Sequence, residues 1–467
     1  MSKYIINGGK PLSGEVSIRG AKNASFKQII ASMLSSETTY LSNIPQISDV
    51  NITESIAQSL GAKIVKSGPH SIEITTEKIT SSVVPHGTGE KSRSSFMFAP
   101  PLLLRTGKAT IPTPGGDKLG IRSLDRLFDC YQKMGIKINI TDDMMTFTTD
   151  KINPVHYVFP KPSHTVTEVL LMTAVLLDGQ TILDNSALEP EIDDLILMLN
   201  DMGAKIHRDP SDLKRIIIDG VEKLHGTTHQ VIADRNETIT FACVALATKG
   251  SISIQHCDPR IIKAFLDTIE KMRAKIFCGK DEVNISWIVP LRAIDIKTAP
   301  EPGFMTDWQP IFSLLLAQAI GVSTLIETIY TSRFQHIANL NTMGVGVSTL
   351  IETIYTSRFQ HIANLNTMGV KTSFFNPEVS NPKEYYDFNQ NDDKPEYFHG
   401  VKIYGPSKLK PIDIDIKDLR AGANVTLAAL AAEGTSTINN VEFIERGYEK
   451  LAERLKSLGA DIKYIKT

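Results

Sequence analysis

The sequence predicts an α/β protein of two domains, each built from three repeated helix–strand–helix–strand units whose more apolar helix lies inside. Two observations predict it: a short motif that recurs six times, and the hydrophobic pattern around each copy. Leu60-Gly61-Ala62-Lys63-Ile64 returns as Met134-Gly135-Ile136-Lys137-Ile138, Met202-Gly203-Ala204-Lys205-Ile206 and Met272-Arg273-Ala274-Lys275-Ile276. It appears again as Met368-Gly369-Val370-Lys371-Thr372 and Leu458-Gly459-Ala460-Asp461-Ile462. A chain of 467 residues also exceeds what one core usually serves.

Each element of the unit has a local reason. An amphipathic run such as Ile192 to Met202 or Tyr448 to Leu458 predicts an outer helix, glycine ends it, and an apolar-alternating strand follows. Upstream lies a helix apolar nearly all round, then a glycine and a β-branched strand. Thr167 to Leu177, Gly179 and Gln180-Thr181-Ile182-Leu183 form one example; Ala423 to Ala432, Gly434 and Thr435-Ser436-Thr437-Ile438 form another. A helix without a polar face belongs in a core. The repeat period is about 70 residues, and no Rossmann-type glycine fingerprint follows a first strand.

Two intervals break the pattern. Residues 321–345 and 346–370 are identical at every position, polar ones included. Structural repeats diverge at exposed positions, so this reads as a recent tandem duplication or an artefact of sequence assembly rather than a functional double module. Only one copy can fill the strand–turn–helix slot of the fifth unit, and looping out the other costs about 3 kcal/mol of closure entropy plus a constant. Residues 376–400, rich in Asn, Asp, Pro and Tyr, read as a polar surface insertion.

Composition narrows the function. Of the residues, 42% are hydrophobic and 22% charged, and the formal net charge is -2, which gives no basic face for nucleic acid. No apolar stretch is long enough for a bilayer, and the first residues lack a secretory signal, so a cytoplasmic enzyme is expected. Cys130, Cys243, Cys257 and Cys278 are scattered, which argues against a disulfide framework or a zinc site. His225 and His229 read as surface residues rather than metal ligands, and no cofactor is expected.

Five segments carry charge beyond what turns need. They are Arg19 to Ala24, Pro112 to Arg122, Thr306 to Gln309, Asp418 to Ala423 and Glu445 to Tyr448. Lys22 stands at the start of an apolar helix, where a cation opposes the helix dipole, so it reads either as a solvated helix end or, with the free backbone amides, as an anion cradle. The Pro112 to Arg122 stretch, with three glycines, two prolines and three charges, reads either as a plain turn or as a pliable loop able to close over a small ligand. Asp307 looks like a helix cap. Together the segments supply the cations that a phosphorylated carboxylic acid requires and the carboxylates that proton transfer requires.

At these residues the chain resembles the enolpyruvyl transferase superfamily, in the branch whose acceptor is UDP-N-acetylglucosamine. The likeness runs from Ile5-Ile6-Asn7-Gly8-Gly9 to Arg446-Gly447-Tyr448-Glu449, through Ala21-Lys22-Asn23-Ala24, the Pro-Gly-Gly loop and Thr298-Ala299-Pro300. The sister enzyme acting on shikimate phosphate typically has Lys-Ser where this chain has Lys22-Asn23. The resemblance implies two inside-out α/β domains, one discontinuous (1–21 plus 232–467) and one spanning 22–231 with the mobile loop.

It also implies site residues. Lys22, Arg122 and Arg446 would cradle phosphoenolpyruvate. Asn23, Arg93, Asp125, Ser163, His164 and Thr165 would contact the nucleotide sugar, with Thr165 standing where the family usually has glycine. Asp307 would accept the sugar hydroxyl proton; Asp418 and Arg420 would help hold the closed site. From the duplicated stretch come two rival pairs, Ile329 with Arg333 and Ile354 with Arg358. Asp117 replaces the usual loop cysteine, as in some active relatives, and implies resistance to the epoxide fosfomycin. Two rival readings are a non-catalytic UDP-sugar-binding paralogue and a repeat scaffold without a small-molecule site.

Overall fold

A computed structural model describes residues 2–90, 93–113, 124–330, 371–395 and 397–466, without the side chains of Arg93 and Lys371. The amphipathic runs fold as outer helices Ser48–Ser59, Asp125–Lys133, Pro190–Asp201, Lys263–Lys271 and Leu451–Ser457. Gly61, Gly135, Gly203 and Gly459 follow four of them with φ between 87° and 114°. This left-handed turn lets the next amide donate back into the last helical turn, as Ala62 does to Ala57 and Ala204 does to Leu199, both at 3.0 Å. Arg273 holds the same place at φ 75° and makes the same closure, Ala274 to Ile269 at 3.0 Å, at the conformational cost glycine avoids. The fifth copy's Met368-Gly369 lies outside the described residues, but its strand Lys371–Phe375 is present.

The apolar runs form the inner helices. One unit contains Lys22–Ser32, Ala99–Thr106 and His164–Ala174; the other contains Arg235–Ala247, Gln309–Gln318 and Leu419–Ala431. Every residue of Arg235–Ala247 is buried, as the lack of a polar face predicts. Two inner helices start before the apolar pattern does, at His164 rather than Thr167 and at Leu419 rather than Ala423. Their first turns carry His164 and Arg420, polar residues that hydrophobicity alone excludes from a buried helix.

The described strands make six sheets, three in each unit. Five share one plan: a parallel edge strand, then two antiparallel pairings. Thus His156–Val158 lies parallel to Gln180–Asp184, which pairs antiparallel with Asp212–Asp219, which pairs with Lys205–Asp209. In the sixth sheet, Lys108–Pro112, Met144–Thr148 and Lys137–Ile140 pair antiparallel, and the parallel strand is reduced to a bridge from Val83 to Thr110.

The first two strands belong to sheets completed much later in the chain. Ser2–Gly8 lies between Gly434–Asn439 and Asp461–Lys466, and Ser13–Ser17 runs parallel to Ser251–Gln255. Among the described residues, one unit therefore joins the chain up to Ile18 with everything from Arg235 onward, and the other runs from Arg19 to Asp234. The two linkers pair with each other: Gly20 bridges Ala233, and Asp234 donates to Arg19. They group with the unit that begins at Arg19, not with the termini.

In the fifth sheet the strand Gly321–Ile326 comes from the first of the identical copies and pairs with Ile296–Lys297 and Gly400–Gly405. Residues 331–370, including the whole second copy, lie outside the described residues. The 376–400 stretch is not simply a polar surface insertion. Tyr386, Phe388 and His399 are buried and mutually in contact, with ring centroids 4.8–4.9 Å apart. Glu327 donates its amide to His399 and Asp387 donates to Thr328, which ties the stretch to the end of strand Gly321–Ile326.

Candidate active site

In the unit running from Arg19 to Asp234, the start of Lys22–Ser32 is built from distant parts. Ala21 has no capping side chain, and Asp234 accepts from the Lys22 amide at 3.1 Å in its place. Gly20 passes so close to Asn43 that a Cβ would lie 1.7 Å from its carbonyl oxygen, so no side chain fits there. The Lys22 ammonium lies 2.6 Å from Asp49. Asn23 is half-buried in the first turn.

Deeper along the same helix, Lys27 pairs with Glu168 at 2.6 Å, with side chains 3% and 0% exposed. His164 Nε2 lies 3.1 Å from both Lys27 Nζ and Glu168 Oε1, so the first and third inner helices meet at this trio. Burial opposes protonation of His164. Glu168, with Glu189 behind it, outweighs burial and the opposing Lys27 charge, and the imidazole is held above its usual range. Ser163 stands just before the helix, and Thr165 is half-buried in its first turn. Arg126 donates to the Pro162 carbonyl at 3.0 Å, bringing the exposed Asp125 at the start of its own helix beside this turn.

His229 departs from the surface reading. It is buried, 3.1 Å from both Asp194 and Gln28. Its neighbours in sequence are polar, and only the packing of strand Thr228–Gln230 beside Thr39–Ser42 turns the ring inward. No group of residues able to hold a metal ion occurs among the described residues.

The other unit joins the starts of its three inner helices through arginine. Arg235, first in its helix and 1% exposed, pairs with Glu301 at 2.5 Å and lies 5.9 Å from the Trp308 ring. Trp308, not Asp307, is the residue before helix Gln309–Gln318, and no side chain caps that helix. Asp307 lies in the preceding turn with a carboxylate oxygen 3.6 Å from Arg420. Arg420 donates to Tyr448 Oη at 2.9 Å, and Tyr448 Oη lies 2.8 Å from Thr240 Oγ1.

Asp418 caps helix Leu419–Ala431, accepting from the Ala421 amide at 2.7 Å. The half-buried Arg446 stands two residues before Tyr448. The half-buried Ile329 donates its amide to Glu327 at 2.8 Å.

Thus one unit gathers Lys22, Asn23, Ser163, His164, Thr165 and Asp125 around its helix starts, and the other gathers Asp307, Asp418, Arg420, Arg446 and Ile329. In both units cations and carboxylates stand together at the starts of inner helices. Arg93 begins a 3-10 turn, Arg93–Phe98, with its side chain outside the description. Asp117, Arg122, Arg333, Ile354 and Arg358 lie outside the described residues. Sequence reasoning missed Lys27, Glu168, Arg235 and Glu327. For Glu168 a signal existed, since a full charge inside a mostly apolar helix has to be paired; Lys27 and Arg235 share their helices with other polar residues, and only packing shows that they are buried.

A family pattern described as EPSP synthase (3-phosphoshikimate 1-carboxyvinyltransferase) matches residues 6–357 and again 345–455. The two matches overlap at the junction of the identical copies, as expected of a pattern with one place for that segment. UDP-N-acetylglucosamine 1-carboxyvinyltransferase 2 of Streptococcus pyogenes serotype M18 is 34% identical over 468 residues, covering 100% of both chains. The UDP-N-acetylglucosamine 1-carboxyvinyltransferase of Magnetococcus marinus is 34% identical over 470 residues, again covering 100% of both. The crystal structure of the enolpyruvyl transferase NikO from Streptomyces tendae shares the fold, with TM-score 0.81, 23% identity and coverage of 100% of this chain and 99% of that one.

Proposed function

The chain belongs to the EPSP synthase family of enolpyruvyl transferases, and from that membership we propose that it transfers the carboxyvinyl group of phosphoenolpyruvate to the 3-hydroxyl of UDP-N-acetylglucosamine, releasing phosphate. The observation that carries this reading is the match, spanning 100% of both chains, to relatives bearing that activity in their names. The reaction supplies a precursor of the bacterial cell wall. We place the protein in the cytoplasm: its four cysteines are free, and no helix among the described residues is long and apolar enough to cross a membrane.

The sugar O3 attacks C2 of phosphoenolpyruvate while C3 gains a proton; loss of a C3 proton then expels phosphate and restores the double bond. Lys22, Arg122 and Arg446 hold the phosphate and carboxylate, whose charges repel unless fixed cations separate them. Asp307 accepts the hydroxyl proton, because a neutral alcohol is a weak nucleophile. Arg420, 3.6 Å from that carboxylate, helps to fix its position. Asn23, Arg93, Asp125, Ser163, His164 and Thr165 bind the nucleotide sugar, joined by Ile329 with Arg333 or by Ile354 with Arg358. Asp418 caps the helix that carries Arg420 and so acts at one remove.

Asp117 donates the proton to C3 or assists product release. Phosphate release from phosphoenolpyruvate should require UDP-N-acetylglucosamine and not occur with shikimate 3-phosphate. A chain that binds the sugar nucleotide without releasing phosphate is the non-catalytic paralogue instead. Fosfomycin should cause no time-dependent loss of activity, because a carboxylate opens an epoxide far less readily than a thiolate, and Asp117→Cys should become sensitive.

A further inference from the structure

We propose that Glu327 is a positioning residue for Asp307, fixing the turn that carries this carboxylate relative to the backbone at Ile329. The proposal rests on the transferase reading above and adds a residue to it.

Glu327 is 1% exposed at the end of strand Gly321–Ile326. Its two carboxylate oxygens face different segments. Oε2 accepts from Thr306 Oγ1 at 2.8 Å and from Gln309 Nε2 at 3.3 Å. Oε1 accepts from Thr298 Oγ1 at 3.1 Å, from the Ile329 amide at 2.8 Å and from the Tyr330 amide at 3.2 Å. One side chain therefore ties together the Thr298-Ala299-Pro300 strand end, the Thr306-Asp307 turn, the first turn of an inner helix and the chain leaving the strand.

The surroundings over-determine that carboxylate. Thr328 donates its amide to Thr298 Oγ1 at 2.9 Å and its hydroxyl to the Thr298 carbonyl at 2.6 Å. The Glu327 amide itself donates to His399. Asp307 is thus held from two directions: Arg420 faces its carboxylate, and Thr306 anchors its backbone to Glu327. The helix start offers no cap to do this work, since Trp308 makes none. A base that removes a hydroxyl proton has to sit within hydrogen-bond reach of it, and a shift of about 1 Å costs on the order of 100-fold in rate.

A glutamine at this position keeps the shape but turns one acceptor oxygen into an NH2 group, which must then face donors on one side or the other. We expect Glu327→Gln to lower kcat about 10- to 100-fold while KM for phosphoenolpyruvate stays near the wild-type value. Thr306→Val removes only the hydroxyl linking the Asp307 turn to Glu327, so it should lower kcat in the same direction by less, with a somewhat lower melting temperature but an intact fold. In both variants the acid limb of the kcat–pH profile should move, because Asp307 no longer sits in its native field.

The test measures phosphate release with both substrates varied. Wild-type release with unaltered kcat and pH profile in a folded Thr306→Val protein overturns the role of Glu327 alone, even if Glu327→Gln does not fold. No release from the wild-type chain overturns the transferase reading and this proposal with it.

Discussion

The charged ends of the two units solve one problem with different chemistry. In the unit from Arg19 to Asp234 the ion pairs on the first inner helix are made by lysines: Lys22 on Asp49, and Lys27 on Glu168 beside His164. In the other unit the pairs at the inner-helix starts are made by arginines backed by aromatic rings: Arg235 on Glu301 near Trp308, and Arg420 on Asp307 near Tyr448. A lysine is a compact charge on a flexible stem that can exchange one oxygen partner for another. A guanidinium is a planar fork that fixes geometry and stacks on rings. The first arrangement suits the capture of an incoming anion, whereas the second suits the aiming of one carboxylate.

The sharpest way to break this contrast is Asp307→Asn. It should lower turnover about 10²- to 10⁴-fold with KM for phosphoenolpyruvate little changed, as read by steady-state phosphate release. Retained turnover would make the arginine-rich end mere scaffold. Lys27→Met comes next. Leaving Glu168 buried without its cation should cost about 3–5 kcal/mol of stability in urea unfolding. The double variant Lys27→Met with Glu168→Leu should recover much of that loss.

A pH series sharpens the lysine side. The folded state raises the His164 pKa, so it binds that proton more tightly than the unfolded chain does. The resulting stabilisation is complete below about pH 6.5 and is lost as pH rises through the folded value. The stability difference between wild type and His164→Gln should therefore shrink from about pH 6.5 upward, with Glu168, Lys27 and Glu189 as the charged groups facing the ring. A difference that is flat with pH would mean the imidazole never titrates there.

The smallest effect is expected at Arg273, where the two units differ in a purely conformational way. The unit from Arg19 to Asp234 has Gly61, Gly135 and Gly203 after its outer helices, whereas the other holds the exposed Arg273 at positive φ. Arg273→Gly should relieve the left-handed penalty, partly offset by the freer unfolded chain, for a gain of about 0.5 kcal/mol. A thermal melt at neutral pH would resolve it.

Local pattern was enough to read the repeat. Glycine after an amphipathic run, and a β-branched strand after an apolar one, dictate the unit wherever they occur. Six such patterns became six sheets and two kinds of helix. The same logic failed at the first turns. His164 and Arg420 are helical, yet their polarity hid them from a hydrophobic period. The 376–400 stretch looked polar on average, while a few aromatic rings decided where it packs.

What the sequence determined alone is the unit, its number and the identity of the charged residues at the starts of the inner helices, because these follow from forces acting within a few turns of chain. What only the tertiary structure decided is which charges meet. Asp234 reaches the Lys22 amide, Lys27 reaches Glu168, and Glu327 reaches Thr306 from separate stretches of chain. Side-chain hydrogen bonds and ion pairs act over a few ångströms of space, and separation along a sequence carries no information about such distances until the sheets and helices have folded.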